Sequence, residues 1–150
     1  RLRLAPHPEG GWYRELHRST LQGRREGDAA QRSALTTILF LLAAGEVSRW
    51  HRVSGADEAW HYYEGAPLDL LSFAPDGTRA TTTRLGTDPA TRVHVTPAGW
   101  WQAARPAGDY ALVGCTVGPG FDFADFAMLR DLPAPARPPR PDLAEFERLL

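Results

Sequence analysis

The chain has little of what marks a disulfide-stabilised, membrane-spanning or nucleic-acid-binding protein. Its 150 residues include one cysteine, which excludes an internal disulfide and a cysteine-cluster metal site and favours a reducing compartment. The longest apolar run, residues 38–44, is far shorter than the roughly 20 residues that span a bilayer. The formal net charge is −1 and the arginines are scattered, which argues against nucleic-acid and membrane partners. Because no basic-then-apolar leader opens the sequence, we expect a cytoplasmic protein.

The composition favours a single all-β domain. A length of 150 residues with 43% hydrophobic composition can bury one sizeable core, so we expect residues 1–150 to form one domain. The 13 prolines, 14 glycines and 5 tryptophans suit short strands joined by turns better than long helices.

Short β-type segments separated by turn residues recur along most of the chain, which is typical of a sandwich or jelly roll. We predict strands over residues 12–19, 33–42, 48–53, 58–64, 68–73, 79–85, 92–96, 101–105 and 110–117.

The remaining segments are predicted to be irregular or weakly helical. Residues 21–31 form a charged, glycine-broken loop in this prediction, and residues 121–128 a short helix or strand. Residues 131–150 are predicted to be a proline-rich surface segment that ends in a short amphipathic helix over 141–149.

The first cluster of chemically capable residues lies in residues 45–65. His51, Glu58 and His61 fall on two successive strands, which we predict to pair as a hairpin that brings their side chains together. Residues two apart on a strand share a face, so Trp60 and Tyr62 accompany Glu58. The same alternation turns His61 to the opposite face unless a bulge intervenes.

The second cluster is a tight turn that leads into a strand, residues 97–102. Proline and glycine set the turn, and Gln102 then stands where a side chain with both a donor and an acceptor can enter the site. Trp100, in the same turn, is a candidate wall of the pocket.

These two clusters resemble the two motifs of the cupin superfamily. Gly45, His51, Glu58 and Gly65 follow the spacing of the first motif, although Val53 stands where that motif has its second histidine. The turn at 97–102 is similar to the second motif, with Gln102 in place of its histidine.

Residues 6–15, 50–61 and 113–121 resemble the Cupin_5 (DUF985) family in particular. The resemblance implies a double-stranded β-helix, the cupin jelly-roll barrel, and a homodimer. It leaves the activity open, because one fold serves many functions.

Metal-free acid–base chemistry on a small polar molecule is the function that we favour from the sequence. In this hypothesis His51, Glu58 and Tyr62 are catalytic, Trp60, Trp100 and Gln102 bind substrate, and no cofactor is needed. Aromatic walls suit a sugar ring or an aromatic metabolite, and the reaction would be an isomerisation or epimerisation. Residues 10–15 are also similar to a stretch of the nucleotide-sugar 3,5-epimerases within the cupins.

Two further functions stay open. His51 and Glu58, with Gln102 or His61, could instead hold a divalent transition metal such as iron, nickel, manganese or zinc in a dioxygenase or isomerase. The chain could also bind a small ligand without catalysis.

Structural roles compete with each of these functions. His51 and Glu58 could be a buried pair that fixes the hairpin. We predict that Cys115 is an inert core residue. His7 and Glu9 are either solvated or, by analogy with dimeric cupins, line the pocket of a neighbouring protomer.

Overall fold

Strands account for most of the ordered segments in the computed structural model of the chain, which describes residues 1–25 and 27–150. Short runs of β-branched and aromatic residues, interrupted by glycine, proline and aspartate, produce this pattern. The strands are β1 (Ala5–Pro6), β2 (Trp12–Arg18), β3 (Gln22–Arg24), β4 (Gln31–Ser33), β5 (Thr36–Ala43), β6 (Ser48–Val53), β7 (Asp57–Gly65), β8 (Leu68–Phe73), β9 (Ala80–Leu85), β10 (Val93–Thr96), β11 (Trp101–Pro106), β12 (Tyr110–Gly118) and β13 (Phe126–Met128).

Two antiparallel sheets face each other as a double-stranded β-helix, which confirms the predicted cupin barrel. The six-stranded sheet has the order β1-β2-β5-β12-β7-β10, and the five-stranded sheet has the order β13-β6-β11-β8-β9. The short hairpin of β3 and β4 lies outside both sheets.

The predicted hairpin of the two motif strands is wrong, because β6 and β7 belong to different sheets. β6 pairs with β11 and β13, whereas β7 pairs with β10 and β12. His51 and Glu58 therefore approach each other across the barrel interior, one from each sheet. Residues 54–56 between the two strands are few enough for a hairpin, but the chain crosses from one sheet to the other there, which a short turn alone does not reveal.

Two apolar clusters stabilise the barrel, one inside it and one outside it. The inner cluster fills one end of the barrel with residues such as Phe40, Trp60, Tyr62, Leu70 and Val113. The outer cluster covers the opposite face of the five-stranded sheet, where successive residues alternate in direction. Its buried members are Trp50, Leu71, Phe73, Trp101, Ala103, Leu129, Phe146 and Leu149.

The C-terminal helix predicted over residues 141–149 is a 3-10 turn, Phe146–Leu149. A nine-residue segment is too short to sustain an α-helix by its own hydrogen bonds, so its contacts with the barrel decide its conformation. The indole Nε1 of Trp50 donates a hydrogen bond to the Phe146 carbonyl at 3.0 Å, and the Phe146 ring packs on Trp50 and Phe73.

The loop predicted over residues 21–31 begins and ends in strand structure, and its residue 26 lies outside the described residues. β3 pairs with β4, and Arg25 and Arg32 both bind the Asp125 carboxylate. This ion-pair cluster attaches the hairpin to the segment before β13. Within residues 1–25 and 27–150, no helix has both the length and the apolar character needed to cross a membrane.

Candidate active site

A cavity of about 250 Å³ occupies the end of the barrel that the inner apolar cluster leaves unfilled. Thr36 and Ile38, at the start of β5, line it, whereas Phe40, further along the same strand, belongs to the cluster. The lining residues are His7, Glu9, Tyr13, Glu15, Arg18, Thr36, Ile38, His51, Val53, Glu58, Cys115, Val117, Phe121, Asp122, Phe123 and Phe126.

The loop between β1 and β2 inserts Glu9 into the barrel. Glu9 is 5% exposed, and its Oε2 lies 3.2 Å from His51 Nε2 and 3.4 Å from His7 Nδ1. Two glycines with positive φ follow, and a Cβ at Gly10 would lie 2.1 Å from the Val47 carbonyl oxygen. Glycine is therefore required for the loop to pass close enough to β6 to bury the carboxylate.

This loop belongs to the same chain whose cavity it completes, so the structure places His7 and Glu9 in their own barrel. They are therefore neither solvated nor part of a neighbour's pocket, the two alternatives predicted from the sequence. A glutamate followed by two glycines was the available signal, because such a pair permits a close approach of backbone to backbone.

A β-bulge in β6 turns two polar side chains toward the cavity. Gln102 pairs with His51 and Ala104 pairs with Ser48, so two residues of β6, Arg49 and Trp50, oppose the single residue Ala103 of β11. The bulge lets Ser48 join His51 on the inner face, where Ser48 Oγ donates to Glu9 Oε1 at 2.8 Å. Strict alternation predicted Arg49 at that position.

The tautomer of His51 follows from its neighbours. Its Nδ1 lies 2.8 Å from the Arg49 carbonyl oxygen, which can only accept a hydrogen bond. In the neutral ring Nδ1 therefore carries the proton, and Nε2 is the basic atom that faces Glu9 and Gln102.

Trp60 fixes the orientation of the Gln102 amide. Trp60 Nε1 donates to Gln102 Oε1 at 3.0 Å, and an indole has no acceptor, so the Gln102 NH₂ group must point the other way. That group lies 3.1 Å from His51 Nε2 and donates a very short hydrogen bond to Glu58 Oε2. His51, Gln102 and Glu58, all three buried, thus form one hydrogen-bonded chain.

Burial sets the protonation of this cluster. Desolvation raises the pKa of Glu9 to about 7, against the opposing effects of His7 and the Ser48 hydrogen bond. Desolvation likewise raises the pKa of Glu58 to about 7, with His51 opposing the rise and Glu9 adding to it. Burial lowers the pKa of His51, which keeps the ring neutral over much of the range in which the two carboxyls titrate.

Cys115 lies at the floor of the cavity, fully desolvated beside Glu58. Burial first, and then the two nearby carboxyls, raise the pKa of its thiol well above the usual value. A thiol held protonated in this way is a poor nucleophile.

The residues predicted as metal ligands do not present a ligand set in this arrangement. The Gln102 group that faces His51 and Glu58 is a donor NH₂, and a donor cannot coordinate a cation. His61 is half-buried on the outer side of β7, away from the cavity. Among the described residues, no group of three or more His, Cys, Asp and Glu side chains is placed to hold a metal ion.

The predicted aromatic walls lie elsewhere than the cavity surface. Trp60 is in the inner cluster and donates a hydrogen bond to Gln102, but it does not line the cavity. Tyr62 donates its hydroxyl to the Gly65 carbonyl at 2.6 Å, and Trp100 packs under the Arg79 guanidinium. Strand alternation predicts which face a residue is on, but not how far along the barrel the cavity extends.

The aromatic wall comes from residues 121–126. The sequence predicts only a short helix or strand in this segment, with no role in the site. Phe126 stacks on His51 with ring centroids 5.6 Å apart, and Phe123 stacks on His7 at 6.4 Å. Phe121 contacts both phenylalanines edge to face. The cavity therefore has an apolar aromatic side and a polar side that carries the two carboxyls.

Comparison with solved structures shows a likeness to two proteins over most of the chain. A hypothetical protein from Leishmania major is 32% identical with a TM-score of 0.77, over 84% of this chain and 81% of that chain. A protein from Shewanella oneidensis is 37% identical with a TM-score of 0.74, over 85% of this chain and 78% of that chain.

A more distant structure shares the fold alone. The capsular polysaccharide assembling protein CapF from Staphylococcus aureus is 12% identical with a TM-score of 0.64, over 85% of this chain and 34% of that chain. No curated protein matches the chain. The model of the Cupin_5 family, described as "Cupin superfamily (DUF985)", matches residues 1–129, so the chain belongs to this family of cupins.

Proposed function

We propose that this protein is a metal-independent isomerase or epimerase that acts on a small polar metabolite in the barrel cavity. The observation that carries the proposal is the pair of buried carboxyls, Glu9 and Glu58, on either side of His51. Both line the cavity, and burial brings the pKa of each to about 7. Groups poised near the working pH are the most efficient proton-transfer catalysts.

The two carboxyls divide the roles of base and acid. One of them, ionised, removes a proton from a carbon beside a carbonyl; the C–H electron pair forms a carbon–carbon double bond, and the carbonyl π pair moves to the oxygen. The other, protonated, gives its proton to that oxygen, which yields an enol. Epimerisation is complete when the enol oxygen returns its proton to the carboxylate and a proton is added to the other face of the same carbon. In an α-hydroxy carbonyl compound the intermediate is an enediol, and isomerisation is complete when its second hydroxyl loses its proton and a proton is added to the former carbonyl carbon, so neither reaction gains or loses protons overall.

His51 and Gln102 support this exchange. His51 Nε2 contacts Glu9 Oε2 at 3.2 Å, so the neutral ring can accept a hydrogen bond from Glu9 when that carboxyl is protonated. Gln102 donates to His51 and Glu58 without titrating, which makes it a positioning residue. Tyr62, the acid proposed from the sequence, is bound to Gly65 and has no part in this mechanism.

The shape of the cavity indicates the substrate class. A volume of about 250 Å³ accommodates a single ring or a short chain rather than a whole nucleotide sugar. The aromatic wall of Phe121, Phe123 and Phe126 suits the apolar face of a sugar ring.

Deuterium wash-in tests the proposal. A panel of aldoses, ketoses, sugar acids and short oxo acids is screened by thermal shift, and compounds that stabilise the protein are incubated with it in D₂O. Proton NMR then follows loss of the signal beside the carbonyl. We expect enzyme-dependent exchange that falls by about 100-fold or more in Glu58→Gln.

Glu64→Gln is the matched control, because Glu64 is on the exposed part of the same strand. Its exchange rate should equal that of the wild type. Binding without exchange for every compound that binds would contradict the proposal and favour the non-catalytic ligand-binding function.

A further inference from the structure

Arg18 lies at the mouth of the cavity because of a second β-bulge. Tyr13 and Glu15 of β2 face the cavity, and strict alternation would make His17 the next inward residue. The pairing of β2 with β5 shifts between Glu15 and His17, and Arg18 lines the cavity instead. Bulges commonly re-aim a side chain beside a functional site.

The Arg18 guanidinium is held in place by three hydrogen bonds, but these do not use all of its N–H donors. Its Nε and Nη2 donate to the two carboxylate oxygens of Glu15 at 3.1 and 2.8 Å, and Nη1 donates to the Phe121 carbonyl at 2.9 Å. A guanidinium has five N–H donors. One N–H on each terminal nitrogen is thus left without a partner among the described residues.

Among the charged groups at the rim, Arg18 is the one that can bind an anion. It is the permanent cation among the cavity-lining residues named above, since His7 and His51 have lowered pKa values. Glu15 is already paired with it, and the Asp122 carboxylate accepts a hydrogen bond from the Ala124 amide at 2.8 Å. An arriving carboxylate can accept hydrogen bonds from the two N–H groups of Arg18 that have no partner among the described residues.

We infer that Arg18 is a specificity-determining residue that binds a carboxylate of the ligand at the cavity mouth, while the rest of the ligand extends past Phe121 and Phe126 toward Glu9 and Glu58. The inference deepens the proposed function and rests on it for the reacting end of the ligand. It assigns the substrate class as small carboxylic acids, such as sugar acids. The bond from Arg18 to the Phe121 carbonyl also couples this anchor to the aromatic wall.

Matched pairs of probes test the inference by calorimetry: glucuronate against glucose, and benzoate against benzamide. Each pair differs in charge at nearly constant size. We expect the wild type to bind the anionic member of each pair about tenfold or more tightly, and Arg18→Gln to lose that preference. Asp122→Asn, which keeps a side chain able to cap the Ala124 amide but removes a negative charge, should strengthen the preference.

Arg14→Gln is the matched control, because Arg14 is on β2 but does not line the cavity, and it should behave as the wild type does. Equal affinity within both pairs, failure of both anionic probes to saturate the wild type, or an unchanged preference in Arg18→Gln would each overturn the inference. Calorimetry tests anion binding by Arg18, and deuterium wash-in tests proton transfer. A preference for anions without deuterium exchange would contradict the proposed reaction but support the role of Arg18, so the two failures are distinguishable.

Discussion

At the scale of single residues, the main feature of the site is a pair of carboxyls whose pKa values burial raises to about 7. Glu9 and Glu58 are 5% and 9% exposed, and their hydrogen bonds to Ser48, Gln102 and Cys115 only partly offset the cost of desolvating the charge. A fold keeps such groups at a cost in stability, which is common at functional sites and uncommon elsewhere.

That cost predicts a pH dependence of stability. The pKa of Glu58 rises from 4.5 to about 7 on folding, so the folded state holds a proton that the unfolded state releases between these values. The resulting stabilisation is complete below about pH 4.5 and is lost as the pH rises through about 7. We expect Glu58→Gln, which cannot ionise, to be more stable than the wild type by on the order of 2 kcal/mol near pH 8, with little difference near pH 4.5.

Urea unfolding at a series of pH values measures this difference. Glu64→Gln, at an exposed position of β7, should follow the wild-type curve. If Glu58→Gln unfolds more easily than the wild type near pH 8, the carboxyl is stabilised as an anion and our account of its environment is wrong.

Motif spacing predicted some of these residues and missed others. The spacing around His51, Glu58 and Gln102 predicted that they belong together, and the structure joins them in one hydrogen-bonded chain. Glu9 was predicted to be solvated or to line a neighbour's pocket, and its place in its own barrel was not predicted, because its burial depends on a long-range approach of the Gly10 backbone to β6, which leaves no periodic trace in the sequence.

At the scale of elements, the loop between β1 and β2 completes the site, because it inserts Glu9 into the barrel cavity. Gly10 has φ of +111° and Gly11 has φ of +71°, both in the region that favours glycine. The Gly10 amide also donates to the His7 carbonyl at 3.0 Å, which closes the turn that presents Glu9.

Gly10→Ala should displace this loop. The new Cβ would meet the backbone oxygen of Val47, which cannot move aside cheaply because it belongs to the approach to β6. We expect a loss of stability on the order of 3 kcal/mol and loss of binding of any cavity ligand, measured by urea unfolding and calorimetry.

Gly45→Ala measures the cost of positive φ alone, without the steric clash that a Cβ at Gly10 would make. Gly45 also has positive φ, at +79°, but no heavy atom lies within 4 Å of its would-be Cβ. It should cost about 1 kcal/mol and leave binding intact. Equal effects of the two substitutions would show that the close approach at Gly10 is unimportant.

The strands were predictable and their partners were not. Runs of β-formers bounded by turns gave residues 48–53 and 68–73 with the observed ends. The assignment of β6 and β7 to different sheets depends on contacts far apart in sequence. Both bulges, of which one places Ser48 beside Glu9 and the other places Arg18 at the cavity, arise from local register shifts that strict alternation cannot predict.

At the scale of the whole molecule, the five-stranded sheet separates the site from the outer apolar cluster. Its inner face carries His51 and Gln102, and its outer face carries Trp50 and Trp101 under the C-terminal segment. We therefore expect changes in the outer cluster to alter stability without altering ligand specificity.

Phe146→Ala tests this separation. Phe146 is 7% exposed against Trp50 and Phe73, so the truncation should cost about 3 kcal/mol through lost burial and a residual cavity. Urea unfolding should show a single transition at a lower midpoint, with an unchanged ratio of affinities for the anionic and neutral probes. Phe123→Ala is the matched control for stability, because Phe123 is 54% exposed and should cost less than about 1 kcal/mol.

Two separate unfolding transitions in Phe146→Ala would contradict the expectation of one cooperative domain. Such a result would mean that the C-terminal segment and the barrel fold independently.

The most direct test of the central claim is an NMR titration of the glutamate side-chain carboxyl carbons, with and without a chelator, using Glu9→Gln and Glu58→Gln for assignment. Our account predicts that the signals of Glu9 and Glu58 titrate as a coupled pair with midpoints near pH 7, and that the chelator changes neither. Midpoints below about pH 5 for both carboxyls, or signals that titrate only after chelation, would contradict a metal-free pair poised for proton transfer.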